Sequence, residues 1–126
     1  MIIILGKNFN DDGNTPLFLQ IKERIEEYIV QGVLAEEEQI PSTTQIVAQY
    51  KINHITVSKG INLLVDQGII YKKRGVGMFV VAGAKAILLE QRANSFSQDY
   101  VEPLIKEAKN LNIKKDDVIK IIEEGF

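Results

Sequence analysis

The side chains with the clearest potential for chemistry are mostly short polar and basic ones between Ser42 and Gly77. They form no catalytic set and no metal site, because the chain has no cysteine, one histidine and no serine in a nucleophile motif. Such residues are instead typical of a surface that reaches into a groove of double-stranded DNA. The candidates are Ser42, Thr44, His54, Ile55, Thr56, Ser58, Lys59, Asn62, Lys72, Lys73, Arg74, Gly75, Val76 and Gly77.

Charge is distributed unevenly along the 126 residues, whose formal net charge is −2. Residues 10–50 carry eight acidic and two basic side chains, whereas residues 51–83 carry five basic and one acidic side chain. Most candidates therefore lie in the basic third of the chain, which DNA phosphates would attract. Charge alone leaves chance clustering on a solvated face equally open.

The composition favours one folded domain with a small appendage in a reducing cytoplasm. An apolar content of 45% is enough for a hydrophobic core, and the lack of cysteine excludes disulfides. The apolar start lacks the basic flank and the length of a signal peptide, so residues 1–14 are expected to form a strand or a docked tail. No apolar stretch approaches the roughly 20 residues that a membrane helix needs. We expect no membrane partner and no cofactor.

Two helices are predicted before residue 51. Thr15 is a good N-cap, and the proline after it suits the first helical turn. Apolar residues then recur at helical spacing until Gly32 ends the helix. Ser42 and Gln45 form a capping box at the start of a second helix. One short apolar face limits this second helix to barely two turns.

A third helix and a hairpin follow, and they carry most of the candidates. Asn53 caps this third helix. The apolar side of the helix faces away from the candidates. Residues 69–73 and 78–81 are β-rich runs joined by a glycine-containing turn with a basic tip. This order of elements predicts a winged helix-turn-helix DNA-binding domain over residues 15–83, mainly α with a small β-hairpin. Its third helix would enter the major groove, and its hairpin would reach the neighbouring backbone or minor groove.

A helical tail is predicted over residues 84–126. Its helix is expected to break or kink between Ser97 and Pro103, because proline costs about 3 kcal/mol inside a helix. The tail is too short for an ordinary ligand pocket, so dimerisation is the favoured interpretation and an effector pocket is the alternative. The dimerisation stripe consists of Ile87, Leu88, Phe96, Tyr100, Leu104, Ile105, Val118 and Ile122.

Seven segments follow one another along the chain in an order that is specific to one family. They are Pro16-Leu17, Gln20-Ile21, Gly32-Val33-Leu34, Ile40-Pro41-Ser42, Thr56-Val57-Ser58-Lys59, Asp66-Gln67-Gly68-Ile69-Ile70 and Arg74-Gly75-Val76-Gly77-Met78-Phe79-Val80. This ordered set resembles the GntR family of bacterial regulators. The resemblance implies a homodimeric, DNA-binding transcriptional repressor acting on a pseudo-palindromic operator. The tail from Tyr100 to Phe126 resembles that of the YtrA subfamily, whose short tails serve chiefly in dimerisation and whose members often regulate transporter operons.

Three positions depart from the arginines that are common in that family. They are occupied by Thr44, His54 and Ser58. The departures imply weaker DNA affinity and leave more of the phosphate attraction to the lysines and the one arginine of residues 59–74. The operator sequence does not follow from these residues.

Two other classes of function stay open. A winged-helix protein-interaction module would suit the acidic overall charge. A sensor or enzyme whose tail binds a small effector would need a constellation of polar groups, and the sequence offers none for an enzyme. Retention on DNA-cellulose at low salt, lost when Lys59 and Arg74 are reversed in charge, separates DNA binding from the first alternative.

Overall fold

The computed structural model describes residues 5–10 and 13–126. The described part is mainly helical with one antiparallel hairpin, as predicted, and it divides into two compact units between Leu89 and Glu90. The elements are α1 (Leu17–Gln31), α2 (Thr43–Tyr50), α3 (His54–Asp66), β1 (Ile70–Lys73), β2 (Gly77–Val80), α4 (Ala84–Phe96), a π-helical segment (Ser97–Val101), α5 (Glu102–Asn110) and α6 (Lys115–Gly125).

The core of the first unit lies where α1 packs against α3. Gly60 makes their close approach possible, because a Cβ atom there would lie 2.6 Å from the carbonyl oxygen of Phe18. Each large aliphatic side chain buried at this contact contributes about 1.5–3 kcal/mol to folding. The fully or almost fully buried residues of the two helices are Ile21, Ile25, Ile29, Val57, Ile61 and Leu64.

The predicted caps of α2 and α3 are confirmed. Gln45 N donates to Ser42 Oγ at 3.0 Å, and Ser42 N donates to Gln45 Oε1 at 2.9 Å. Asn53 Oδ1 accepts from Ile55 N at 2.7 Å. Helix α1 begins one residue later than predicted, with Pro16 at the N-cap in place of Thr15, and it ends at the left-handed Gly32 (φ 81°).

The N-terminal segment, which we define as residues 5–10, docks on α1 and α2. Leu5 is fully buried, and Arg24 donates to its carbonyl oxygen at 3.0 Å. The Arg24 guanidinium also lies 3.9 Å from the centroid of the Phe9 ring. The structure thus holds residues 5–10 against α1, whereas residues 1–4 and 11–12 of the segment predicted to be a strand or a docked tail lie outside the described residues.

The division between the units falls later than predicted. Ala84 and Leu88 are buried in the core of the first unit. The first turns of α4 therefore belong to the winged domain, and the predicted boundary after Gly83 is displaced to Leu89. Leu88 was predicted to lie on an exposed dimerisation stripe, and that prediction is wrong because the side chain already packs within its own unit.

The second unit, residues 90–126, remains helical through Pro103. Where a break or a kink was predicted, the structure has the π-helical segment, in which Glu102 N donates to the carbonyl oxygen of Ser97, five residues earlier. A π turn shifts the hydrogen-bond register by one residue, and Pro103 then stands in the first turn of α5, where its missing N–H is not required. The chain turns at Asn112, which has a positive φ of 56°.

Candidate nucleic-acid interface

The solvent-facing side of α3 gathers the predicted groove-facing residues. Val57 and Ile61 occupy the other side of the helix and are buried. The exposed candidates are His54, Ile55, Lys59 and Asn62, and the half-buried ones are Thr56 and Ser58. All except Thr56 line one shallow depression along the helix. Hydroxyl, amide, imidazole and ammonium groups on this surface can exchange hydrogen bonds with base edges or phosphates.

Lys59 is held by an aromatic ring of its own protein. Its Nζ lies 4.0 Å from the centroid of the Phe18 ring on α1. A cation over an aromatic face is attracted by about 0.5–1 kcal/mol at an exposed site. This contact orients the ammonium at the edge of α3 and competes with its use at a base edge.

The two candidates on α2 have different surroundings. Both Ser42 and Thr44 are exposed. The Ser42 hydroxyl oxygen already accepts from Gln45 N, so the structure assigns it a capping role. Thr44, in the first turn of α2, keeps an exposed side chain that can contact DNA.

The hairpin of β1, the turn 74–76 and β2, which we call the wing, exposes three consecutive cations. Lys72 pairs with Met78 and Lys73 pairs with Gly77 in the strand register. Two glycines shape the tip, with φ values of 77° at Gly75 and 149° at Gly77, conformations that other residues adopt only with strain. The exposed tip residues are Lys72, Lys73, Arg74, Gly75 and Val76.

A third stretch of backbone supports the wing. Residues 37–40 run antiparallel along β2: Val80 N donates to Glu38 O at 3.0 Å, and Ile40 N donates to Met78 O at 2.9 Å. Gln39 Nε2 also donates to the carbonyl oxygen of Val76 at 3.1 Å.

Sequence reasoning assigned no role to Gln39, because its partner Val76 lies 37 residues later in the chain. The extended backbone that Pro41 imposes on Ile40 was the available signal.

Tyr71 and Phe79 stack across the wing, with ring centroids 5.7 Å apart. The Tyr71 hydroxyl donates to Glu37 Oε2 at 3.4 Å. Partial burial, followed by the negative charge and hydrogen bond of Glu37, raises the pKa of Tyr71 above its usual value of 10.0. The phenol therefore stays protonated at neutral pH.

The cations of the wing are not neutralised within the described residues. The ion pair between Lys22 and Glu26, whose Nζ and Oε2 lie 3.1 Å apart, is on α1 and involves none of these cations. Lys72, Lys73 and Arg74 are therefore available to an external anion such as a phosphate. Across the same described residues, no group of three potential ligands could hold a metal ion.

The predicted dimerisation residues separate into three groups. Ile87 is exposed on the first unit, and Leu88 is buried there. In the second unit, Val118 is half-buried and the other predicted residues are exposed. These exposed residues are Phe96, Tyr100, Leu104, Ile105 and Ile122.

A family model, "Bacterial regulatory proteins, gntR family", matches residues 17–80, which span α1 through β2. The chain belongs to the gntR family. The winged-helix fold that the sequence predicted is confirmed by this match. The residues matched include α3 and the wing, so the proposed interface lies in the part of the chain that defines the family.

Curated relatives of this GntR-family chain are transcriptional regulators. It is 26% identical over 113 residues to the uncharacterized HTH-type regulator YhcF of Bacillus subtilis, covering 87% of this chain and 92% of YhcF. It is 30% identical over 92 residues to the HTH-type transcriptional repressor NagR of the same organism, covering 73% of this chain and 37% of NagR. The chain therefore spans less than two thirds of the length of some relatives that it matches.

Solved structures agree with the family assignment. A GntR-family regulator from Bacteroides thetaiotaomicron has a TM-score of 0.69 and 32% identity, over 86% of this chain and 94% of that one. The DNA-binding domain of AraR, solved in complex with operator ORX1, has a TM-score of 0.54 and 29% identity, over 60% of this chain and 95% of that one. Among the residues described, no helix is long and apolar enough to cross a membrane.

Proposed function

We propose that this GntR-family chain is a transcriptional repressor that binds operator DNA as a homodimer. In each protomer α3 would lie in the major groove, and the wing would contact the neighbouring backbone or minor groove. The polar exposed side of α3 supports groove binding. The similarity to NagR, a named repressor, and to AraR, solved with its operator, supports the class of partner and the sign of control.

The wing supplies the electrostatic part of the proposed contact. Lys72, Lys73 and Arg74 are exposed and make no ion pair with described residues, so binding DNA would not first require breaking one. Each cation that neutralises a phosphate releases counterions, which makes binding strongly salt-dependent. The acidic total charge of the chain does not prevent this, because the acids are concentrated outside α3 and the wing.

The single observation that carries the homodimer is the lack of a core in the second unit. None of residues 90–126 is buried, although this stretch contains ten exposed large apolar side chains. Large apolar patches are rare on the surfaces of soluble monomers. A second copy of the chain would cover these residues, which include Phe96 (56% exposed), Tyr100 (67%) and Leu111 (60%).

Dimerisation would also compensate for the weak DNA affinity that is expected of a single winged domain with few arginines. A two-fold dimer would present two α3 helices to half-sites about 34 Å apart on a pseudo-palindromic operator. Binding of the second half-site would become intramolecular and raise the overall affinity without any new kind of contact.

The resemblance of residues 100–126 to a YtrA-like tail supports two finer proposals. The chain would belong to that subfamily, and its operator would control a transporter operon. The 92% coverage of YhcF shows that a regulator of similar length exists, which suits a short tail. The alternative proposal is that the tail binds a small effector. Calorimetric titration of the chain with the substrate of that transporter would test it.

Analytical ultracentrifugation of the full chain at micromolar concentration tests the homodimer. We expect a dimer, and we expect Leu104→Glu with Ile105→Glu to give a folded monomer, because two carboxylates would be desolvated at the interface. Lys106→Glu, an exposed change on the same helix, is the matched control. A full chain that sediments as a clean monomer would refute the dimer.

Titration of operator DNA at several salt concentrations tests the DNA contact. Replacing Lys72 or Arg74 by alanine should weaken binding to all sequences alike and reduce the slope of log K against log salt by about 1. Lys120→Ala, which removes the same charge from exposed α6, should leave the slope unchanged. Equal slopes for all variants would show that the wing is not a contact, and failure to bind DNA even at low salt would favour a protein-interaction module.

A further inference from the structure

We propose that Ile55 reads the C5-methyl group of a thymine in the major groove. The inference rests on the proposed binding of DNA by α3, and it names a chemical group that this surface recognises. It predicts that one base pair in each half-site is specified by an apolar contact, in addition to any hydrogen bonds made by the polar residues around it.

Ile55 is an apolar side chain held out from the protein at the start of α3. It is 75% exposed, whereas Val57, two residues later, is fully buried. The cap fixes the local backbone, because Asn53 Oδ1 accepts from Ile55 N at 2.7 Å. A β-branched side chain in a helix has one strongly preferred χ1 rotamer. Ile55 is therefore a rigid apolar projection at the end of α3 that carries base contacts in helix-turn-helix proteins.

The surroundings of Ile55 on this face are mainly polar. Ser58, Lys59 and Asn62 follow it at spacings of three, four and seven residues, which places them on the same side of the helix. Together with His54 they line the shallow depression along α3. In a complex, the apolar surface of Ile55 would leave water only against an apolar group of the partner.

Thymine is the unmodified base that supplies such a group in the major groove. Its C5-methyl group projects there, whereas guanine, adenine and cytosine are recognised by their hydrogen-bond donors and acceptors. Placing Ile55 against a purine or cytosine would desolvate polar atoms without giving them a partner. The contact therefore favours thymine for two reasons. The methyl group offers Ile55 an apolar partner, and the other bases would lose hydrogen bonds to water.

The chain has few side chains for the usual recognition of guanine. Arginine or lysine contacts to guanine O6 and N7 are the commonest specific contacts in the major groove. Neither α2 nor α3 contains arginine, and Lys59, the one lysine of α3, stacks on the Phe18 ring. Apolar recognition by Ile55 thus carries a larger share of the discrimination.

A uracil scan of the operator tests the proposal with the full chain. A high-affinity site is first selected from a random DNA pool, and each thymine is then replaced by uracil, which removes only the methyl group. At one position in each half-site, we expect affinity to fall about 4-fold, the effect of burying one methyl group. Replacing that base pair by cytosine–guanine and then methylating cytosine C5 should recover part of the loss.

Variants of Ile55 assign the effect to this side chain. Ile55→Ala should bind the thymine and uracil operators equally, whereas Ile55→Val should keep the preference. Val33→Ala, at another exposed apolar position (58% exposed), is the control and should also keep it. If Ile55→Ala does not fold, the uracil scan of the wild-type chain still decides.

Equal binding of thymine and uracil at every position, or an Ile55→Ala variant that retains the preference, would overturn the assignment. Sequence-specific, salt-sensitive binding without methyl dependence would overturn only this inference. Lack of any DNA binding would overturn the proposed function as well.

Discussion

Replacing Tyr50 by phenylalanine would remove one oxygen atom that ties the N-terminal segment to the end of α2. The Tyr50 hydroxyl accepts from Leu5 N at 2.8 Å and donates to Gly6 O at 2.7 Å. The ring itself would keep its edge-to-face contact with Phe9, whose centroid lies 5.0 Å away. Tyr50→Phe therefore isolates the two hydrogen bonds from the packing around them.

The expected loss of stability follows from the two backbone groups that would lose their hydrogen-bond partner. Each neutral hydrogen bond contributes about 0.5–1.5 kcal/mol, so the variant should lose about 1–3 kcal/mol of the free energy of unfolding. Leu5 is fully buried, so water does not readily replace the hydroxyl at its N–H group. With a urea m-value of about 2 kcal/mol/M, a loss of about 2 kcal/mol lowers the unfolding midpoint by about 1 M.

Urea unfolding followed by far-UV circular dichroism measures this difference. Tyr28→Phe removes the same atom from a half-buried tyrosine of α1 whose hydroxyl makes no hydrogen bond with a described residue, and its effect should stay within about 0.5 kcal/mol. If the two variants unfold at the same urea concentration, the Tyr50 hydroxyl does not bridge the segment to α2, and the reasoning is refuted.

Two further predictions concern the wing. Gly77→Ala should destabilise the first unit by about 1–3 kcal/mol in urea unfolding, because its φ is 149° and an added Cβ atom would displace Gln39 Nε2 from its hydrogen bond to Val76 O. The loss should be smaller in a Gln39→Ala background, and strictly additive losses would contradict the steric conflict. At alkaline pH, the unfolded chain should ionise at Tyr71 before the folded chain, whose Tyr71 pKa is raised by partial burial and by Glu37. This contribution to stability should be complete below pH 10 and lost as the pH rises through the raised pKa; a Tyr71→Phe variant with an unchanged alkaline decline would contradict it.

The order of elements could be predicted because the signals that start and end them are local. Ser42 and Gln45 cap α2 from within four consecutive residues, and Asn53 caps α3 through the amide two residues later. Gly32 ends α1 with a positive φ, which glycine adopts without the steric penalty of a Cβ atom. Side-chain types at short spacing were enough to predict each of these features.

The features that sequence reasoning missed depend on contacts between distant residues. Gln39 supports Val76 from 37 positions earlier, and no residue type at either position indicates the pairing. Leu88 looked like part of an exposed stripe because its spacing fits α4, yet tertiary packing buries it in the first unit. Pro103 correctly indicated a disturbed helix, but whether proline breaks a helix or is accommodated by a π turn depends on how neighbouring backbone groups bond.

The pairing of residues 37–40 with β2 also determines which segment of the chain could be exchanged between related regulators. One inserted residue in this stretch would turn Gln39 away from the wing tip and Ile40, now 2% exposed, toward solvent, because side chains alternate in extended chains. The cap of α2 begins immediately afterwards at Ser42. A chimera that exchanges only α3 or only the hairpin would separate these partners, so the smallest exchangeable module should run from Glu37 to Val80.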